Sequence, residues 1–255
     1  MGVQKYDHDK IIALYADGLS TREVASEVGC GKTIVSEVVS KYGISRPNRI
    51  RTHVIRKRSQ KCDEFSDEFS KFLDGLLISD GHLTRPRGRA LASVYRQSCV
   101  HKEWLENLLD VFKENGLKSS VKPVKNRSDF VLETLSYDNF YSERNRWYIG
   151  EEGVKFVPKD VDLGCRNLLR NWICGDGTRI DKCTLRFCTD SFSEDCIDFI
   201  QSRLWNGKFK KTFMGMSKKG YPKYRLSLCK RDGLHDFLDY VGKPEFNCFD
   251  YKWIK

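Results

Sequence analysis

Near the start of the chain, apolar residues recur every three to four positions in three short runs, each closed by a glycine. The segment DKIIALYADG places Ile11, Ile12, Leu14 and Tyr15 at helical spacing and stops at Gly18. Ser20 or Thr21 then predicts a cap for a second helix, TREVASEVG, with Glu23 supplying an acid at its positive dipole end. After Gly29 the run KTIVSEVVSKYG predicts a third helix. With Ala25 where two helices cross, Gly29 in the turn, and Val24, Val28, Val35 and Val38 facing inward, the pattern is that of a helix-turn-helix. Lys32, Thr33, Ser36 and Glu37 then fall on the exposed face of the third helix, the face that would enter a DNA major groove. A plain structural bundle has the same apolar spacing. GCGKT around Lys32 imitates a phosphate loop, but Ser26 stands where the first glycine belongs and no apolar strand precedes it.

Beyond Asp63 the pattern is written twice. FSKFLDGLLISDGHL, the strand ALASVYRQSC, the amphipathic run HKEWLENLLDVFKENG, the strand pair SSVKPVK and DFVLETLSY, and a closing helix DNFYSERNRWY make one unit. CRNLLRNWICGDGTRI, CTLRFCTD, SEDCIDFIQSRLW, FKKTFMGMS, YPKYRLSLCK and LHDFLDYVG follow in the same order. The fold class is therefore α+β, with two pseudo-twofold αββαββα repeats, each needing the other to cover its first helix. Trp104, Phe112, Trp147, Trp172, Phe199 and Trp205 fall at helix positions that face the sheets, so they read as core.

The first helix of each repeat is where chemistry could reside. LDGLLISDG (73–81) and LRNWICGDG (169–177) are apolar segments that end abruptly at Asp-Gly. Packed side by side through Gly75 and Ser79 on one and Gly175 on the other, they would bring Asp80 and Asp176 to one end of the interface. A left-handed glycine ending an ordinary helix is the alternative. An acid at that end opposes the helix dipole, however, and its presence at both places calls for a functional reason. Paired carboxylates suit hard divalent ions such as Mg²⁺, two or more of which can activate a water and stabilise a leaving phosphodiester oxygen.

Composition adds a partner. The chain has 255 residues, with 45 Lys plus Arg against 35 Asp plus Glu, a net charge of +10 that favours a polyanion. Much of the excess lies in SRPNRIRTHVIRKRSQK, where Arg46, Arg49, Arg51, Arg56, Lys57, Arg58 and Lys61 occur without an acid and Pro47 blocks helix continuation. This reads as a linker, and beside a helix-turn-helix as an arm that contacts phosphates or lies in a minor groove. No apolar run reaches the roughly 18 residues of a membrane helix. The ten cysteines include no CxxC and no zinc-ligand spacing, and the polar start MGVQKYDHDK carries no export signal, so reduced thiols in a cytoplasmic or other reducing compartment are expected.

Residues 65–255 resemble the single-chain, two-motif LAGLIDADG homing endonucleases. The terminal acid-glycine pair of that motif is matched by Asp80-Gly81 and Asp176-Gly177. RNRWYIGEEGVKFVPKDV (144–161) resembles the family's segment before the second motif, with Lys155 as its lysine, and FDYKWIK resembles the Tyr-Lys ending of relatives, with Lys252. Ile78 and Cys174 replace an acid at the sixth motif position, and Asn171 replaces a small third residue, a change expected to loosen packing in the second half. The resemblance implies a saddle of antiparallel sheets lying in the major groove. Arg96, Lys122, Lys125, Arg127, Arg186, Lys208, Lys210, Lys211, Lys223 and Arg225 would be its strand contacts to DNA. Asp80 and Asp176 would coordinate Mg²⁺, one acid per strand. Lys155 and Lys252 would orient the attacking water or stabilise developing charge, and Gln97 would join that water network.

The expected organisation is thus a helix-turn-helix domain (1–44), a basic linker (45–62) and two repeats (63–150 and 151–255). The expected activity is Mg²⁺-dependent double-strand cleavage, by a monomer, at a long, near-unique DNA target. A DNA-binding regulator that has lost cleavage and an intron RNA maturase are the competing readings; the helix-turn-helix favours duplex DNA over A-form RNA, whose major groove does not admit a helix. An intein host is disfavoured, as neither a splicing Cys or Ser at residue 1 nor a His-Asn ending is present.

Overall fold

A computed structural model describes residues 6–44, 59–86, 90–150, 153–217 and 220–253. The chain forms two compact units, Met1–Arg58 and Ser59–Lys255. The linker arginines Arg46, Arg49, Arg51, Arg56 and Arg58 lie outside the described residues, as does Lys57.

In the first unit, α1 (His8–Ala16), α2 (Thr21–Val28) and α3 (Lys32–Lys41) enclose Ile11, Val24, Ala25, Val35, Val38 and Val39. Ser20 caps α2 in a full capping box. Its Oγ accepts the Glu23 N–H at 3.2 Å and the Glu23 carboxylate accepts the Ser20 N–H at 2.6 Å, so two first-turn donors are satisfied reciprocally. Gly29 ends α2 at φ 69°, the left-handed value that a sharp turn into α3 requires. Lys32, Thr33, Ser36 and Glu37 are all exposed on α3.

In the second unit the first repeat contains α4 (Asp67–Leu77), β2 (His82–Leu83), β3 (Tyr95–Cys99), α5 (Lys102–Glu114), β4 (Ser119–Pro123), β5 (Phe130–Thr134) and α6 (Asp138–Trp147). The second contains α7 (Arg166–Asp176), β9 (Gly177–Asp181), β10 (Thr184–Cys188), α8 (Glu194–Arg203), β11 (Lys210–Met216), β12 (Pro222–Cys229) and α9 (Leu234–Val241). Each makes a four-stranded antiparallel sheet of the same order, β2-β3-β5-β4 and β9-β10-β12-β11. Two small pairs complete the unit. β1 (Ser59–Gln60) runs parallel to β6 (Ser136–Tyr137), and β7 (Tyr148–Ile149) forms a hairpin with β8 (Val154–Lys155). One apolar core runs through both repeats, and the strands alternate Leu185, Phe187, Leu226 and Leu228 inward with polar residues outward.

Several expectations change. The linker expected to reach residue 62 gives up Ser59 and Gln60 to the sheet pairing with β6. The repeat boundary expected at 150/151 falls inside the β7–β8 hairpin, so Lys155 belongs with the first repeat. Within ALASVYRQSC, only Tyr95–Cys99 forms a strand. Lys125 and Arg127 sit in the turn between β4 and β5, since Asn126 adopts φ 62° there, and Arg127 is paired with Asp129 at 3.3 Å.

The two motif helices α4 and α7 touch backbone to backbone. A Cβ on Gly75 would meet the Leu168 carbonyl oxygen at 2.6 Å, and one on Gly175 would meet Ser79 Oγ at 2.6 Å. Asn171 does not loosen the contact, because its Nδ2 donates to the Phe72 carbonyl of the opposite helix at 3.2 Å. Each helix is also tied to its own repeat at the second motif position. The buried Asp74 carboxylate accepts from Arg146 Nη1 and Nη2 at 2.6 and 3.0 Å and from Trp147 Nε1 at 2.9 Å. Arg170 reverses the polarity, donating to the Val241 and Gly242 carbonyls at the end of α9. Because rigid backbone faces Gly75, Gly75→Ala should destabilise the second unit by about 1–3 kcal/mol in denaturant titrations, with the first unit unaffected.

Candidate active site

The ends of α4 and α7 carry the two acids. Asp80 is exposed, three residues past the last helical residue of α4, whereas Asp176 is half-buried and is itself the last residue of α7. Neither following glycine adopts the left-handed conformation; Gly177 has φ −70°. They are glycines because space forbids anything larger. A Cβ on Gly81 would meet the Leu76 carbonyl at 2.5 Å and the Tyr95 hydroxyl at 2.6 Å, and one on Gly177 would meet the Ile173 carbonyl at 2.6 Å. The simple helix-stop reading is thereby excluded.

Electrostatically the acids and both lysines form one cluster. Burial, then the charge of Asp80, pushes the Asp176 carboxyl up to about 7, with Asp190 adding repulsion and Lys155 and Lys252 opposing it. Asp80 is also raised, by desolvation, against the pull of Lys155 and Lys252. Desolvation lowers Lys155 to about 8, while Asp176 and Asp80 favour its charged form. Lys252 is lowered for the same first reason.

The two lysines each donate to backbone carbonyls at the end of one motif, though not to the same set of positions. Lys155 Nζ donates to the carbonyls of Ser79 and Gly81, both at 2.9 Å. Lys252 Nζ donates to those of Ile173 at 2.9 Å, Cys174 at 2.6 Å and Gly175 at 3.4 Å. Carbonyls at and just past a helix C-terminus carry the negative end of its dipole and are left under-satisfied, so an ammonium there is favoured. Each lysine thus sets the chain direction that presents its aspartate.

Gln97 is fully buried under the Asp80-Gly81 turn, where its Oε1 accepts the Tyr95 hydroxyl at 2.5 Å and its buried Nε2 has no protein partner. The register pairs His82 with Arg96 and Thr178 with Arg186, which makes Phe187 the counterpart of Gln97. Phe187 stacks on Trp172 at 4.0 Å. The two halves therefore differ beneath their acids. Tyr95 and Asp190 were missed from the sequence; a tyrosine hydroxyl at an inward strand position and an acid just past a strand were the available signals.

On the open face of the first sheet, register places Arg96, Ser98, Ser120, Lys122, Val131 and Glu133 together. Arg96 is paired with Glu133. On the second sheet Arg186, Lys210, Thr212, Lys223 and Arg225 share the open face. Arg186 donates to Ser227 at 3.3 Å, Lys210 lies 3.3 Å from Asp232, and Asp190 faces Arg225 at 3.3 Å and Lys223 at 3.8 Å. Lys211 is on the other face, where Glu194 and Asp198 of α8 hold it. Lys208 precedes β11 and is exposed. The open faces are thus basic side chains interleaved with a few acids that hold them in place.

The donors fit a hard divalent cation. Two converging carboxylates that repel each other offer only oxygen. Among the described residues no cluster of three or more His, Cys, Asp or Glu could enclose an ion by itself, so water and phosphate oxygens would complete the shell. All ten cysteines are free, and no described helix is long and apolar enough to cross a membrane.

A model of the LAGLIDADG DNA endonuclease family matches residues 70–233. An uncharacterized protein of Methanocaldococcus jannaschii is 29% identical over 261 aligned positions, covering 94% of this chain and 95% of that one. Among solved structures, the homing endonuclease I-WcaI bound to its DNA recognition sequence is similar, with TM-score 0.58 and 16% identity over 83% of this chain and 95% of that one. The crystal structure of I-DmoI in complex with DNA and Mn gives TM-score 0.45 and 17% identity over 69% of this chain and 97% of that one. The I-WcaI likeness bears on the fold, which both chains share.

Asp176 binds its proton more tightly folded than unfolded, where an ordinary aspartate titrates near 3.9. Between about pH 4 and pH 7 the native state holds the extra proton, so stability falls as pH rises through that window. In metal-free protein, Asp176→Asn should flatten this slope and raise the unfolding midpoint at pH 8, as read by thermal melts across pH.

Proposed function

The chain belongs to the LAGLIDADG DNA endonuclease family, and from that premise we propose that it is a sequence-specific homing endonuclease that makes a double-strand break by divalent-metal-assisted hydrolysis. The observation that carries this reading is the cluster at the ends of α4 and α7, where two acid-glycine pairs meet and a buried or half-buried lysine serves the carbonyls of each motif. A family member that has lost cleavage has no need of a cluster that costs stability above pH 7.

In this reading Asp80 and Asp176 would hold the cations, Mg²⁺ by donor chemistry, one acid serving each strand. The bound ions supply Lewis acidity and lower the pKa of water. Lys155 and Lys252 contribute fixed positive charge close to both acids. Their donors are already held by helix carbonyls, so that charge needs no rearrangement when negative charge develops on the phosphate. Gln97, buried beneath Gly81, keeps the Asp80 turn in shape.

Arg96, Lys122, Arg186, Lys210, Lys223 and Arg225 on the open sheet faces meet the major groove, and Lys125 and Lys208 at the sheet margins meet phosphates. In the first unit, the exposed Lys32, Thr33 and Ser36 present α3 as a recognition helix that lengthens the footprint on duplex DNA. The protein acts as a monomer, since both acids come from one chain.

Supplied with Mg²⁺ and a randomised plasmid library, the protein should linearise plasmids carrying its site. Asp80→Asn and Asp176→Asn should each reduce cleavage to nicking or abolish it while duplex affinity stays within a few-fold. Tight duplex binding without any cleavage by the wild-type protein would instead identify a regulator. The combined change of Lys32, Thr33 and Ser36 to alanine should weaken duplex binding in gel-shift titrations, with the positions of the cuts unchanged.

A further inference from the structure

The segment that carries Lys252 is fastened to the opposite repeat. Lys252 ends a 3₁₀ turn, Asn247–Lys252, and its ammonium serves the carbonyls of α7 in the second repeat. The buried Phe249 of the same turn packs instead on the first repeat. Its ring lies edge-on to Trp104 at 5.3 Å and to His101 at 4.9 Å, at the start of α5. Lys252 Nζ stands over the Phe249 ring, 4.7 Å from its centroid. One aromatic ring therefore makes near-perpendicular contacts with the first repeat and carries the lysine of the second half-site over its face.

The first lysine has a parallel arrangement. Two residues after Lys155, the Val157 N–H donates to Cys196 Sγ at 3.3 Å. Cys196 is the third residue of α8, as Trp104 is the third residue of α5. Both lysine-bearing segments thus dock on the same turn of the equivalent helix in the other repeat. For Lys155 that path is dictated by the connection into α7. For Lys252, the packing of Phe249 on Trp104 and His101 carries its segment across, with the neighbouring Cys248 thiol also against the Trp104 backbone.

We propose that Phe249 and Trp104 form a clamp that positions Lys252, so that the geometry of the half-site built on Asp176 is set from the first repeat. The clamp acts through a ring face that favours an ammonium and through the exclusion of water around it. This inference rests on the endonuclease reading for its catalytic consequence, but not for the placement of Lys252.

Two measurements test it on the full chain. The first is acetylation of the folded protein by an N-hydroxysuccinimide ester, with site occupancies read by mass spectrometry. Phe249→Ala should label Lys252 several-fold faster, with Lys155 unchanged, whereas Trp104→Phe, which keeps an aromatic partner for Phe249, should retain most of the protection. Equal acceleration at both lysines, or none at Lys252, would overturn the clamp. The second is strand-resolved cleavage of a supercoiled target. Phe249→Ala should slow the same strand that Asp176→Asn slows and accumulate nicked circles, whereas Trp104→Phe should still give mostly linear product. Equal slowing of both strands would assign Phe249 a merely structural role. A wild-type protein that cuts no DNA would remove the endonuclease reading, and the labelling result would still decide the clamp.

Discussion

The backbone contact between α4 and α7 is the constraint on which the rest of the second unit depends. Gly75 lies against the Leu168 backbone and Gly175 against Ser79, so the helices approach more closely than side chains would allow. That closeness buries Asp176 and brings it into the field of Asp80, and burial first, then that charge, raises its carboxyl to about 7. Two like charges at the negative ends of two helices would not be held there by local energetics. Lys155 and Lys252 make it tolerable by taking up the free carbonyls of those same helix ends.

Around this contact the pseudo-twofold is kept in position but not in chemistry. At the second motif position the first repeat buries an aspartate against Arg146, whereas the second sends Arg170 to backbone carbonyls at the end of α9. Beneath the acids, a Tyr95–Gln97 hydrogen bond on one side is matched by a Phe187–Trp172 stack on the other. Each solution leaves one buried donor without a partner, Gln97 Nε2 on one side and Trp172 Nε1 on the other. The two halves thus place one acid and one lysine each near the shared edge on different supports.

Local signals carried much of this into the sequence. The Ser20–Glu23 capping box, the repeated Asp-Gly and the two lysines each depend on residues close together along the chain or on a motif written twice. What escaped notice was non-local. Asp74 reads as an ordinary polar position until Arg146, 72 positions away, supplies its partner. Asn171 reads as a packing defect until its amide reaches Phe72, 99 positions away. Lys211 reads as a groove contact until strand parity turns it toward α8.

By itself the sequence determined the α+β class, the doubled αββαββα order and the residue types at the site, because hydrophobic period and a repeated motif are properties of the chain alone. Only the tertiary structure decided why Gly81 and Gly177 must be glycine, that Gln97 lies beneath the turn, and that Phe249 reaches across to Trp104. Those depend on which atoms meet when two distant helices close to backbone contact. No local pattern encodes such a distance.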